Sequence, residues 1–363
     1  MLKNKRLMLF ITMTILITIG IIMIYSSSYI WSYYKFNDSL KYVKQQLIFI
    51  FIGYILIYII LKLNPNFFYK NSKIFLIISY ILLILVLIPG IGVTRNGSRS
   101  WFGIGSFGIQ PSEAMKLALI ISTSKILSKK TKTHKSLKDI TPVLLITGLS
   151  FLLIMLQPDF GTSFILVTSI IAILYISGVK NKYFYILGLI GIIGIITLIL
   201  IAPYRLDRII SFINPWKDPL GSGFQIIQSL FAIGPGGILG FGFLNSRQKH
   251  FYLPEPQTDF IFSVICEEFG IIGALLIIVL FVILITLIIK IALKQTNLFN
   301  KYLIFGLGFQ IIFQTALNLS VVTGLIPVTG VTLPFISYGG SSLLITMISI
   351  AIILNISKYE TIK

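Results

Sequence analysis

YLPEPQTDFIFSVICEEFGIIGALLIIVLFVILITLIIK, residues 252–290, is the stretch on which the fold turns. A polar, proline-rich segment hands over at Thr258 and Asp259 to the apolar run 260–289. That run is long enough to cross a bilayer, which takes about 20 residues. Two carboxylates, Glu267 and Glu268, sit inside it. Ionisable groups at membrane depth are costly, so each is either paired to brace the structure or functional.

Working outward, comparable apolar runs lie near 7–29, 45–61, 74–90, 111–127, 142–156, 162–178, 183–202, 302–326 and 339–356. Together they predict an all-α polytopic membrane protein with ten transmembrane helices. The composition agrees. Of the 363 residues 56% are hydrophobic and 11% charged, against roughly 25% charged in a soluble domain. Mean hydropathy is +0.95. This excludes a soluble globular enzyme, a secreted domain and a disordered regulator. The net charge of +19 then reports loops facing an anionic leaflet rather than a nucleic-acid partner. A single cysteine, Cys266, and two distant histidines, His134 and His250, exclude a disulfide and argue against a metal site built from Cys or His.

Lys3, Lys5 and Arg6 precede the first run as in a signal peptide, but the run exceeds a signal h-region of about 7–15 residues, so it reads as a retained anchor. With both termini cytoplasmic, nineteen of the thirty Lys and Arg fall inside, as the positive-inside rule requires. The segment 224–244, broken by Gly234, Pro235, Gly236 and Gly237, reads as re-entrant or interfacial. Counting it as a span would put Lys290, Lys294 and Lys301 outside. The chain is therefore one membrane domain, 1–363, with one large extracytoplasmic loop, 203–258. Of the eleven acids only Asp139 and Glu360 fall inside. The other nine gather at the outer side, which places binding or chemistry there.

Several residues at that side carry two readings. Asp259 or Thr258 suits a helix N-cap. Asp259 is also a carboxylate at the positive end of a helix, kept ionised and able to act as a base. Glu255 lies four residues earlier, across two prolines. Arg205, Arg208, Lys217, Arg247 and Lys249 crowd the loop, either as headgroup contacts or as a pyrophosphate clamp. In NGSRSWFGIGSFGIQPSEAMKL (96–117), Trp101 is an interfacial anchor or a site residue. Pro111 opens a helix in which Lys116, a turn into the membrane, needs an anionic partner. QPDFG (157–161) puts Asp159 in a tight outer turn. In NLSVVTGLIPVTGVTLPFISYGGSS (318–342), Ser337, Gly339 and Gly340 serve close helix packing or present backbone N–H groups to an anion.

These blocks, with GSGFQIIQSLFAIGPGG and SRQKHFYLPEPQTDFIF, resemble the SEDS (shape, elongation, division and sporulation) family along the whole chain and in the family's order. NPWKDPLGSGFQ and YLPEPQTDFIF look more like the division and sporulation branch (FtsW and SpoVE) than the elongation branch (RodA). One departure is GFGFLNS (240–246), where the resemblance leads us to expect a further Gly in place of Phe243 or Leu244.

The resemblance implies a peptidoglycan glycosyltransferase that polymerises lipid II in the bacterial cell membrane, at a division or sporulation septum. It implies a class B penicillin-binding protein as transpeptidase partner, alongside other divisome membrane proteins and membrane lipids. The family's essential loop aspartate falls on Asp259 and its loop tryptophan on Trp101. Joining an acceptor hydroxyl to C1 of an α-linked donor with a β product takes one inverting displacement. It needs a base, assigned to Asp259, and cations on the departing pyrophosphate, drawn from Arg205, Arg208, Arg247, Lys249 and Lys116. A divalent cation, Mg²⁺ or Mn²⁺, held by carboxylates and phosphates would assist, though the sequence shows no ligand set for one. The rival readings are a lipid II flippase and a scaffold that only recruits the transpeptidase. The one-sided acids favour the enzyme.

Overall fold

The computed structural model describes residues 2–95, 97–104, 107–130, 136–201 and 210–359. It is mostly helical: α1 (Leu2–Phe36), α2 (Lys41–Lys62), α3 (Asn66–Leu85), α4 (Pro111–Ser128), α5 (Leu137–Met155), α6 (Phe160–Ile176), α7 (Asn181–Ile201), α8 (Phe224–Ile233), α9 (Ile261–Ala292), α10 (Leu298–Val322) and α11 (Gly340–Tyr359). Among the described residues seven helices, α1, α2, α3, α5, α9, α10 and α11, are long and apolar enough to cross a membrane. Every predicted run coincides with a helix. Outward faces are greasy, with Phe51 68% and Leu145 68% exposed, while Ser26, Lys116, Glu268 and Asn318 are buried inside. Apolar outside and polar inside is the arrangement of a multi-pass membrane protein.

Helix boundaries follow local chemistry. Pro111 supplies the first residue of α4. The Asp159 carboxylate accepts from Thr162 N at 3.0 Å and so caps α6. Asn297 accepts from Phe299 N at 2.8 Å and starts α10. The third helix begins at Asn66, eight residues before its apolar run, because Asn64 Oδ1 accepts from Asn66 N at 2.9 Å and nucleates a turn there.

The all-α expectation needs one correction. Between α3 and α4 the chain forms a three-stranded antiparallel sheet, β1 (Val93–Arg95), β2 (Ser98–Ile104) and β3 (Phe107–Ile109). Val93 pairs with Trp101 and Phe102 with Ile109. These β-prone residues alternate over too few positions to show a period. Gly97, at φ +79°, makes the first turn.

The tenth helix is central, packed on α4, α6, α9 and α11, while α1 lies on α9 and α2 on α11. The ninth breaks at Gly270, whose φ of +60° and ψ of −155° are not helical. The break has a partner. In an unbroken helix Ile271 N and Ile272 N would bond Glu267 O and Glu268 O. Instead they donate to Gly237 O (2.9 Å) and Ile238 O (3.3 Å), while Phe241 N and Gly242 N reach Glu267 O and Glu268 O at 2.9 Å each. Segment 236–242 thus inserts as a strap into the helix ladder. Close approach demands Gly240, since a Cβ there would lie 2.2 Å from Glu268 O. Segment 224–244 is therefore a ten-residue helix, α8, followed by this strap.

Candidate functional site

Asp259 stands one residue ahead of the α9 N-cap, which falls to Phe260 and not to Asp259 or Thr258. Thr258 Oγ1 instead donates to Glu255 O at 2.8 Å. Asp259 is held from α10. Asn318, fully buried near the end of that helix, donates through Nδ2 to Asp259 O at 2.7 Å and Val331 O at 2.8 Å. One amide thus ties Asp259 to the broken segment 323–339. Within that segment Gly330, at φ +73°, faces the Asp259 carboxylate, since a Cβ on it would lie 3.8 Å from Oδ2. Gly161, in the first turn of α6, abuts the same segment, its built Cβ 2.6 Å from Thr329 O.

Residues 337–340 are occupied with packing. Leu333 N donates to Ser337 Oγ at 2.8 Å, and Gln46 Nε2 donates to Ser337 O at 3.2 Å. Gly339 N donates to Gln46 Oε1 at 3.3 Å, and Gly340 is pressed on the Phe49 ring. These contacts are of the close-packing kind, and the Gly339 N–H is engaged by Gln46. Tyr338 N donates to Gln257 O at 2.8 Å, and its hydroxyl donates to Gln45 Oε1 at 2.5 Å. Burial pushes that hydroxyl up to about 12, with nearby Tyr42 reinforcing and Arg95 opposing.

Below Asp259, Lys116 finds the anionic partner its depth demands. Its Nζ is 2.9 Å from Glu113 Oε1, both side chains buried, and donates to Gln314 Oε1 at 3.1 Å. Gln314 Nε2 passes the network to Thr332 O at 3.1 Å and Ser342 Oγ at 3.3 Å. Asp159, gripped by Gln110 Nε2 at 2.7 Å, lies within electrostatic reach of Glu113 and Lys116. Burial raises its carboxyl against the lowering pull of Thr162. Near these groups Ser112 Oγ, Gln257 Oε1, Gln310 Oε1, Asn318 Oδ1 and Thr329 Oγ1 find no partner among the described residues. Each buried polar atom left dry costs about 1–3 kcal/mol, so the region is built for water or a polar ligand.

Trp101, half-buried in β2, lies under the Arg95 guanidinium, 5.1 Å from the ring centroid. Arg95 also acts on Tyr338, which links the sheet to the Asp259 surroundings. Glu255 is exposed at φ +43° and acts electrostatically on Tyr42, whose ring meets that of Tyr338 at 4.9 Å.

The basic loop residues divide. Lys249 corrects its expected role as a clamp: it is buried, with Nζ 2.9 Å from Glu268 Oε1. Ser26 Oγ adds bonds to Glu268 at 2.6 and 2.7 Å. Glu267 accepts from Ser246 Oγ at 2.5 Å and Arg247 N at 2.8 Å. Glu267 and Glu268 therefore brace the loop onto α1 and α9. The Arg247 side chain is exposed, 4.9 Å over the Phe241 ring, and lines a cleft of about 750 Å³ with Gln228, His250 and Tyr252. Arg205 and Arg208 lie outside the described residues. Among the described residues no three His, Cys, Asp or Glu side chains converge as a metal cage.

Sequence reasoning missed Arg95, Gln46 and Gln314. The last had a signal: Gln310, Gln314 and Asn318 recur every four residues on one face of α10.

Residues 6–362 match the profile of the FtsW/RodA/SpoVE family, described as cell cycle protein. The chain is 50% identical to stage V sporulation protein E of Bacillus subtilis (strain 168), over 98% of each chain. It is 37% identical to a Geobacter sp. (strain M18) protein described as "Probable peptidoglycan glycosyltransferase FtsW", over 96% of each. Among solved structures it is similar to a chain from work on structural coordination of polymerization and crosslinking by a peptidoglycan synthase complex. There the TM-score is 0.79 at 27% identity, covering 97% of each chain. The crystal structure of the rod shape determining protein RodA of Thermus thermophilus shares the fold, with TM-score 0.72 at 24% identity, covering 96% of this chain and 95% of that one.

Proposed function

Because the chain belongs to the FtsW/RodA/SpoVE family, we propose that it is a peptidoglycan glycosyltransferase that polymerises lipid II at the outer boundary of the membrane. In this reading α4, α6 and α7 join the seven apolar helices as spans, giving ten, with both termini cytoplasmic. The observation that carries it is the setting of Asp259. The Asp259 backbone is fixed through Asn318 at the mouth of the helix bundle, and its carboxylate faces a glycine above a buried Lys116–Glu113 pair, beside buried acceptors that have no partner among the described residues.

The chemistry follows from those groups. The acceptor hydroxyl loses its proton to Asp259 as its oxygen attacks C1 of the donor, and the pyrophosphate leaves from the opposite face with inversion. Charge builds on the departing pyrophosphate. Exposed Arg247, with Arg205 and Arg208, supplies cations shaped for it. Lys116 stays paired with Glu113 and sets the field below the site. Trp101, stacked under Arg95, offers a face to a sugar. Since the described residues offer no cage, a divalent cation would be shared between Asp259 and the substrate's own phosphates and would neutralise charge on the leaving group.

The printed subject of the solved relative, polymerization coordinated with crosslinking, supports a transpeptidase partner of the class B penicillin-binding type. The similarity to stage V sporulation protein E supports a place at a division or sporulation septum. The test is polymerisation of purified lipid II by the full chain with its transpeptidase partner, wild type beside Asp259→Ala. Long glycan from the wild type alone is the expected result. Equal product from both would move the base elsewhere, with Glu255 next, and no product from either, with partner binding verified, would overturn the enzyme reading.

A further inference from the structure

At the end of the bundle opposite Asp259, α3 and α4 are pinned together by Ser122 Oγ donating to Ser72 O at 3.2 Å. That contact brings Lys73 alongside Lys125 and Lys129, and both act electrostatically on Lys125. Lys125 Nζ sits 4.9 Å over the Tyr69 ring, which is fixed edge-on against Phe299 at 5.1 Å. Three like charges gather at this end, with Lys125 seated on an aromatic floor. The described carboxylate at this end, Asp139, is already engaged by Ser136 Oγ at 2.8 Å and by Lys130 at 3.3 Å. Convergent cations that repel one another and have no counter-charge among the described residues are stabilised by an external anion.

The neighbouring surface says which anion. Directly along α3 from Lys73, Ile74, Ile77, Ile78 and Ile81 are each 50–56% exposed. Their spacing of three and four residues makes one apolar stripe that continues the line of Lys70 and Lys73. A free phosphate would have no use for that stripe, whereas acyl chains would lie along it.

We infer that Lys73, Lys125 and Lys129, with Tyr69 beneath Lys125, form a binding site for the phosphate headgroup of an anionic membrane lipid whose chains pack along the isoleucine face of α3. The site is independent of the chemistry at Asp259.

The test is native mass spectrometry of the detergent-solubilised full chain titrated with phosphatidylglycerol, with phosphatidylcholine of the same acyl chains, and with inorganic phosphate. Because each lysine is drawn to an anionic surface, phosphatidylglycerol is expected to be retained at least roughly tenfold more tightly than phosphatidylcholine. Lys73→Gln/Lys125→Gln/Lys129→Gln should abolish the preference. Single Lys125→Gln should weaken it, and Lys125→Arg should keep it, at an unchanged melting temperature. Equal retention of the two lipids, or a preference that survives the triple substitution, overturns the site. Inorganic phosphate competing as well as phosphatidylglycerol overturns the lipid as its ligand.

Discussion

Two carboxylate regions lie within ten residues of each other, at either end of the first segment of α9, and they are built in opposite ways. The carboxylates of Glu267 and Glu268 are fully engaged, by Lys249, Ser26, Ser246 and the Arg247 N–H, and beside them only Gln248 Oε1 is left without a partner among the described residues. Around Asp259 the backbone is gripped by Asn318, while Asn318 Oδ1, Gln257 Oε1 and Thr329 Oγ1 are left without partners among the described residues. A saturated buried network holds structure, and an unsaturated one awaits a ligand. Both sets of acids looked functional in the sequence, and the state of their neighbours separates them.

Substitutions can break that contrast. Removing the Asp259 carboxylate in Asp259→Ala should lower lipid II polymerisation by roughly 10²–10⁴-fold, with little change in melting temperature. Glu268→Ala should do the reverse first. Leaving Lys249 buried and unpaired costs about 3–5 kcal/mol, read as a lower melting temperature, and pairing it with Lys249→Met should restore part of the loss. Asn318→Ala should fall between the two, lowering turnover about tenfold while costing about 1–3 kcal/mol for the carbonyls it frees. Turnover that follows stability alone in Asn318→Ala would remove its role in positioning Asp259. The smallest effect belongs to the turn just after the strap. Leu244 holds φ +65°, where an L side chain is strained by about 1–2 kcal/mol, so Leu244→Gly should raise the melting temperature slightly. Of the two positions where the resemblance led us to expect a Gly, Phe243 and Leu244, it is Leu244 that has the positive φ.

The helices were legible because each apolar run is long and the membrane punishes any other backbone. The third helix was placed late because in its first turns, Asn66–Ser72, the aromatics Phe67, Phe68 and Tyr69 are followed by Lys70, Asn71 and Ser72, which break the apolar run. The sheet at 93–109 was missed because its strands are short and rich in Gly, Ser and Arg. In the site, Asp259, Lys116 and Trp101 stood out as rare residue types in an apolar chain. Asn318 and Gln314 did not, because a neutral amide inside a helix carries no charge to betray it. The Lys249–Glu268 pair spans 19 residues and exists only because Gly270 opens α9 to the strap, a three-dimensional event that no spacing rule encodes.

The most direct test of the central claim replaces the Asp259 carboxylate by its neutral isostere. Polymerisation of lipid II and the melting temperature are measured together for Asp259→Asn and wild type, each bound to the transpeptidase partner. Glycan synthesis should collapse in Asp259→Asn while the melting temperature and partner binding stay at wild-type values. Wild-type glycan synthesis by Asp259→Asn would contradict the assignment of Asp259 as the base.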